Sequence, residues 1–239
     1  MGIKKHIPNT ITCCNLISGC IATVFALNGQ FAMALLWIVT GAVFDFFDGM
    51  TARLLHVSSP IGKELDSLAD DVTFGVAPSA MVFYELSAMD YPTVMEPLRP
   101  YIPYFAFIMA AFSALRLAKF NLDERQTTSF IGLPTPANAL FWGSLLVGAN
   151  QWLESSPNNA PLIMIMVLLS CYLLVSEIPM FALKFKQWGW KGNEVKYIFV
   201  ATAAALIILL GVKGIAVVIA WYVLLSAFVG RKSGSADPE

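Results

Sequence analysis

Five aspartates and an arginine lie close together in an otherwise apolar part of the chain: Asp45, Asp48, Arg53, Asp66, Asp70 and Asp71, within DFFDGMTARLLHVSSPIGKELDSLADD. Asp45 and Asp48 are three residues apart and Asp66 and Asp70 four apart, so each pair shares one face of a helix. Ionised side chains inside a membrane span cost roughly 2.5–3.5 kcal/mol each on insertion scales, and a cluster of them calls for opposite charge. A hard divalent cation held by carboxylate oxygens supplies it. The segment reads as a membrane-embedded metal site.

The elements that must position these residues are apolar helices. Of 239 residues, 57% are hydrophobic and 13% charged, with a mean hydropathy of +0.68. A soluble domain carries about 25% charged residues, so the composition indicates an all-α, polytopic membrane helix bundle. The net charge is −1 and no basic stripe is present, which argues against a nucleic-acid partner. Cys13, Cys14, Cys20 and Cys171 show neither metal-ligand spacing nor a disulfide framework and read as small packing residues. Lys4 and Lys5 precede an apolar run through Leu27, which is read as a retained span because further apolar stretches follow.

A span needs about 20 apolar residues. Spans are placed near 11–28, 31–53, 66–88, 102–121, 135–153, 161–183, 195–211 and 213–230, about eight transmembrane helices, with seven as the alternative. Asn28-Gly29-Gln30 supplies the first turn, and Gly211, Lys213 and Gly214 the break between the last two spans. The chain is then a single integral membrane domain over 1–239 with a short solvated tail at 231–239. Lys4, Lys5, Arg53, Lys63, Arg116, Lys119, Arg125, Lys184, Lys186, Lys191, Lys196, Arg231 and Lys232 fall on one side, and only Arg99 and Lys213 on the other. That asymmetry puts both termini in the cytoplasm and the acidic cluster at the cytoplasmic ends of spans two and three.

Asp45, Asp48, Gly49, Ala52, Arg53, Gly62, Asp66 and Asp70 spell D-x2-D-G-x2-A-R-x8-G-x3-D-x3-D. This resembles the signature of the CDP-alcohol phosphotransferase family and matches it at every defined position. The resemblance implies an integral membrane enzyme with a six-helix catalytic core, usually a homodimer. It also implies transfer of a substituted phosphate from a CDP-linked donor to an alcohol, with release of CMP. Elementary chemistry agrees: divalent cations (Mg2+ or Mn2+) neutralise a diphosphate and its leaving group. Asp45, Asp48 and Asp66 are then expected as metal ligands, with Asp70 near enough to add an oxygen. By resemblance Asp70 is also the general base for the attacking hydroxyl. Gly49 allows close approach of the nucleotide, Arg53 offers a fork for phosphate, Gly62 clears space before the third span, and Ser59 is a further nucleotide contact. Asp71 lies outside the pattern, its role open between structure and site.

Four other segments bear on the acceptor: Ile7–Leu16 (IPNTITCCNL), Ala69–Ser79 (ADDVTFGVAPS), Leu115–Asn121 (LRLAKFN) and Gly132–Asn138 (GLPTPAN). Together they look like the membrane-type phosphatidylserine synthase branch of that family. The resemblance implies CDP-diacylglycerol and L-serine as substrates in an inner-membrane enzyme. Arg116 and Lys119 are the candidates for the serine carboxylate or lipid phosphate, with snorkelling to headgroups as the alternative. Asn9, Thr12 and Asn15 are candidates for the cytidine pocket or, alternatively, caps before the first span. Pro134 and Pro136 shape a pocket or simply start the fifth span. Glu177 and Pro179 are placed inside the sixth span, where a glutamate is a functional suspect or half of an ion pair with Lys184 or Lys186. His6 and His56 read as surface residues, and Trp152, Trp188 and Trp190 as interfacial anchors. Glycerol 3-phosphate or an inositol compound is the alternative acceptor. A cation-coupled transporter is the alternative function, disfavoured because transporters hold such sites near the bilayer midplane.

Overall fold

The computed structural model describes residues 6–123, 130–180, 189 and 193–234. Lys4, Lys5, Arg125, Lys184, Lys186, Trp188, Trp190, Lys191 and the last five residues fall outside these. Helix α1 (His6–Leu27) and α2 (Phe31–Leu54) form a hairpin packed along its length. The turn depends on Gly29, whose φ of +70° is left-handed and whose bare Cα abuts the Tyr84 ring.

The third pass begins earlier than the hydropathy suggests. Ser59 caps α3 (Pro60–Asp70), its Oγ accepting from the Gly62 amide at 3.0 Å, and Pro60 fits the first helical position. The helix continues through a π turn (Asp71–Val76) into α4 (Ala77–Ala88). Carboxylates and lysine at residues 63–71 mask this start in an apolar scan. The π turn is where three passes meet. A Cβ on Gly19 of α1 would sit 2.7 Å from the Thr73 Cα, and one on Gly41 of α2 would sit 2.5 Å from the Thr73 Cγ2. Thr73 Oγ1, fully buried, donates to the Asn15 carbonyl at 3.0 Å.

Beyond a loop stapled by Arg99 to Glu96 (3.0 Å), a 3-10 segment (Ile102–Phe107) leads into α5 (Ile108–Leu122). Helix α6 (Thr135–Leu153) starts after Pro134, with Pro136 in its first turn, so these prolines begin the helix. Helix α7 (Asn159–Val175) ends eight residues before the expected limit of the sixth span. Pro179 restricts the residue before it to extended backbone, and β2 (Pro179–Met180) pairs antiparallel with β1 (Phe130–Ile131). Glu177 therefore lies outside the helix and is exposed, correcting its placement within a span. Helices α8 (Glu194–Leu210) and α9 (Val212–Gly234) turn at Gly211, φ +61°. Trp221 Nε1 donating to Thr202 Oγ1 at 3.2 Å, and the Phe199 and Tyr222 rings 5.8 Å apart, show that the two helices run back along each other. The passes therefore number eight among the described residues, and α9 runs on into the expected tail.

Inside the bundle, Phe74, Met81, Met109 and Trp142 are buried, and Trp142 Nε1 donates to Ser170 Oγ at 3.0 Å. Outside it, Ile17, Leu36, Ile165, Ile208 and Leu209 are exposed. His6, His56 and Trp152 are exposed too, and the four cysteines are free. Three helical segments, His6–Leu27, Phe31–Leu54 and Ile102–Leu122, are long and apolar enough to cross a bilayer by length and composition. An apolar exterior over a packed interior is what lipid requires, and the chain is an integral membrane helix bundle.

Placing a side chain at the α1–π turn contact should loosen the bundle. Gly19→Val is expected to cost about 1–3 kcal/mol through overpacking, read as a fall of several degrees in the melting midpoint of the detergent-solubilised protein. An unchanged midpoint would show that this contact does not hold the passes together.

Candidate metal centre

The i, i+3 pair on α2 and the first member of the α3 pair face each other across the helix interface. Ligand oxygens of Asp45, Asp48 and Asp66 lie within 4.8 Å of one another. Asp48 is 6% exposed, and Thr12 Oγ1 of α1 donates to its Oδ2 at 2.5 Å. Asp66 Oδ1 is buried with no hydrogen-bond partner. A carboxylate oxygen in that position is costly unless a cation meets it, so the triad fits a hard divalent ion, which takes carboxylate oxygens at about 2.0–2.6 Å. Asp70 stands beside the triad, close enough to feel the charges of Asp45 and Asp66. Its Oδ1 accepts from Asn15 Nδ2 at 3.1 Å.

Thr12 and Asn15 thus lie within α1, three residues apart on one face, and each holds a carboxylate. The capping alternative for them is excluded because the chain is already helical at His6. Asn9, on the same face, lines a crevice of about 200 Å³ with Pro8, Thr12, Asp48, Gly49, Ser59 and Asp66. Gly49 has open space where a Cβ would point, and Gly62 has Asn9 Oδ1 and Ser59 Oγ at 3.0 Å. Ser59 combines a place in this wall with its cap on α3. Arg53 is exposed and lies off the wall. Lys63, absent from the site residues expected from sequence, lines the crevice and donates from Nζ to the Asn121 carbonyl at 2.7 Å, tying α3 to the end of α5. Its position one residue past Gly62 was the available signal.

A smaller crevice of about 50 Å³ opens at the same end of the bundle, lined by Arg116, Lys119, Asp123, Ser176 and Glu177. Arg116 is only 8% exposed, lies over the Phe120 ring at 5.1 Å, and feels the charge of Asp70. That burial rules out snorkelling for Arg116, whereas Lys119 is exposed. Glu177, expected inside a span, is brought to the wall opposite these cations. Pairing of Glu177 with Lys184 or Lys186 falls on residues outside the described ones.

If Thr12 orients Asp48 toward an ion, Thr12→Val should weaken Mn2+ binding to the purified protein about tenfold, within the usual cost of losing a support to a metal ligand. Titration with Mn2+ followed by electron paramagnetic resonance reads this without substrate. An unchanged affinity would mean that Asp48 needs no such support.

Comparison with known proteins places the chain among its relatives. The chain is 39% identical over 174 residues, 73% of its length and 89% of the relative's, to a CDP-diacylglycerol–serine O-phosphatidyltransferase of Bacillus subtilis. It is 29% identical over 236 residues, 96% of each chain, to the protein of that name from Helicobacter pylori. It is 32% identical over 232 residues, 94% of its length and 74% of the relative's, to the one from Mycobacterium tuberculosis. The CDP-alcohol phosphatidyltransferase model matches residues 5–229, which take in the triad, both crevices and all the helices but the end of α9, and the chain belongs to that family.

Proposed function

We propose that this enzyme transfers the phosphatidyl group of CDP-diacylglycerol to the hydroxyl of L-serine, releasing CMP. The observation that carries the reading is the acidic triad, two of whose members, Asp48 and Asp66, line the crevice over Gly49, where there is room for a pyrophosphate. The acceptor follows the relatives' names, and a single buried guanidinium in the second crevice suits a carboxylate rather than a phosphate-bearing alcohol. Mg2+ or Mn2+ held by Asp45, Asp48 and Asp66 would neutralise the diphosphate and the departing CMP.

The chain's own groups do the rest. Asn15 occupies one oxygen of Asp70 and leaves the other to take the proton of the serine hydroxyl. The hydroxyl oxygen forms a bond to the lipid-bearing phosphorus, and the bond from that phosphorus to the CMP oxygen breaks. Thr12 keeps Asp48 in place, while Asn9, Ser59 and Lys63 line the space for the nucleotide and Arg116 holds the acceptor's carboxylate. We place the enzyme in the cytoplasmic membrane, with both termini in the cytoplasm, as a homodimer formed through its apolar exterior.

The test supplies purified protein with CDP-diacylglycerol, Mn2+ or Mg2+, and each alcohol separately. Serine-dependent CMP release with phosphatidylserine as product is expected. Product from glycerol 3-phosphate and none from serine would overturn the acceptor. Asp70→Asn should lower kcat by at least about a hundredfold, the usual worth of a positioned base, with the KM for CDP-diacylglycerol kept. A near-normal kcat would remove Asp70 from that role.

A further inference from the structure

The family motif leaves one aspartate of the acidic run unexplained. Asp71 opens the π turn, and its Oδ1 is buried without a hydrogen-bond partner. Ser113 of α5 is fully buried, and its Oγ is likewise unpartnered. The two side chains flank the same bare Cα: a Cβ on Gly75 would sit 2.6 Å from Asp71 Oδ1 and 3.0 Å from Ser113 Cβ. Helix α6, which packs against the same turn, carries two more fully buried side chains with unpartnered atoms, Thr135 and Asn138. Each unmade hydrogen bond of this kind costs about 1–3 kcal/mol. π turns recur at functional sites because they re-aim side chains and free backbone positions.

We propose that Asp71 and Ser113 bind the ammonium group of the amino-acid acceptor. This rests on the serine reading above and deepens it. A zwitterion held in a low-dielectric bundle needs a cation for its carboxylate and an anion for its ammonium. Arg116 lies one helical turn beyond Ser113 on α5, lines the second crevice and is within reach of the Asp70 charge. Asp71 follows Asp70 directly on the opposing helix. The hydroxyl to be deprotonated at Asp70 therefore lies between a positive and a negative partner, which is how serine's own groups are arranged about its α-carbon. Alcohols lacking an ammonium gain nothing from Asp71 and leave its oxygen unpaired, so the residue selects as well as binds.

The experiment measures initial rates of full-length protein in detergent with CDP-diacylglycerol and Mn2+ at varied L-serine. Asp71→Asn should raise the KM for serine about tenfold, the loss when a charge-assisted hydrogen bond becomes neutral, with the KM for CDP-diacylglycerol and the Mn2+ dependence held within about twofold. Ser113→Ala should raise the serine KM about threefold in the same selective way, and it carries the test should Asp71→Asn fail to fold. A serine KM that ignores both substitutions would mean that the unpartnered atoms hold water only, and would overturn the proposal. So would a parallel rise for serine, lipid and metal, the mark of a merely structural role. Wild-type protein that forms no product from serine is a different result, and it removes the acceptor reading itself.

Discussion

Carboxylates held inside an apolar bundle are the constraint from which the rest of this structure follows. Asp45, Asp48, Asp66 and Asp70, when ionised, repel one another and need donors and a cation to meet them. The bundle answers with α1. One face of that helix brings Thr12 to Asp48 and Asn15 to Asp70, and the same face supplies Asn9 to the crevice. The first helix is thus part of the site, even though it carries none of the charges. Its alignment depends in turn on Gly19 and Gly41, which let the π turn come close enough for Thr73 to bond the Asn15 carbonyl. Packing and chemistry share a single set of contacts.

The π turn separates two demands that a regular helix would couple. Helix α3 must aim Asp66 at the carboxylates of α2 and Asp70 at Asn15 of α1, and α4 must aim Ala77, Ala80 and Met81 into the core. One extra residue shifts the phase of everything after it by about 100°. Both halves then keep their own register within one continuous pass. The cost is local: the wider turn leaves Asp71 in a half-buried position with an unpaired oxygen, next to Gly75 and Ser113.

The architecture was legible where a single physical signal dominated. Apolar runs marked the passes, the Gly29 turn and the Gly211 break were visible as glycines in polar or short interruptions, and the spaced aspartates marked the site. What stayed hidden depends on contacts between distant segments. The long apolar run over 161–183 conceals the helix end at Val175, because only Pro179 interrupts it and the pairing with Phe130–Ile131 lies some 50 residues away. An apolar scan therefore places Glu177 inside the span, beyond the true helix end. Thr12 and Asn15 stand out in sequence only as polar residues near a helix start, because their partners Asp48 and Asp70 are 36 and 55 residues further on. Lys63 reads in sequence as a charge on one side of the membrane, and only its place next to Gly62 hints at a crevice wall.

The location of the acidic triad also separates group transfer from ion transport. A transport site needs access from both sides in turn and is built on helices broken near the midplane. Here α2 runs unbroken through Asp45 and Asp48 to Leu54, and the crevice over the triad is walled by Val57, Ser58, Ser59 and Lys63 from the α2–α3 connection and the start of α3. The carboxylates therefore look out along a loop at one end of the bundle. On the other side of them lie the packed residues of the core: Phe74, Ala77 and Met81 are fully buried, as are Ala22 and Ala34 of α1 and α2. A site open at one end and closed by packing behind suits a headgroup that enters from water while its acyl chains stay in lipid.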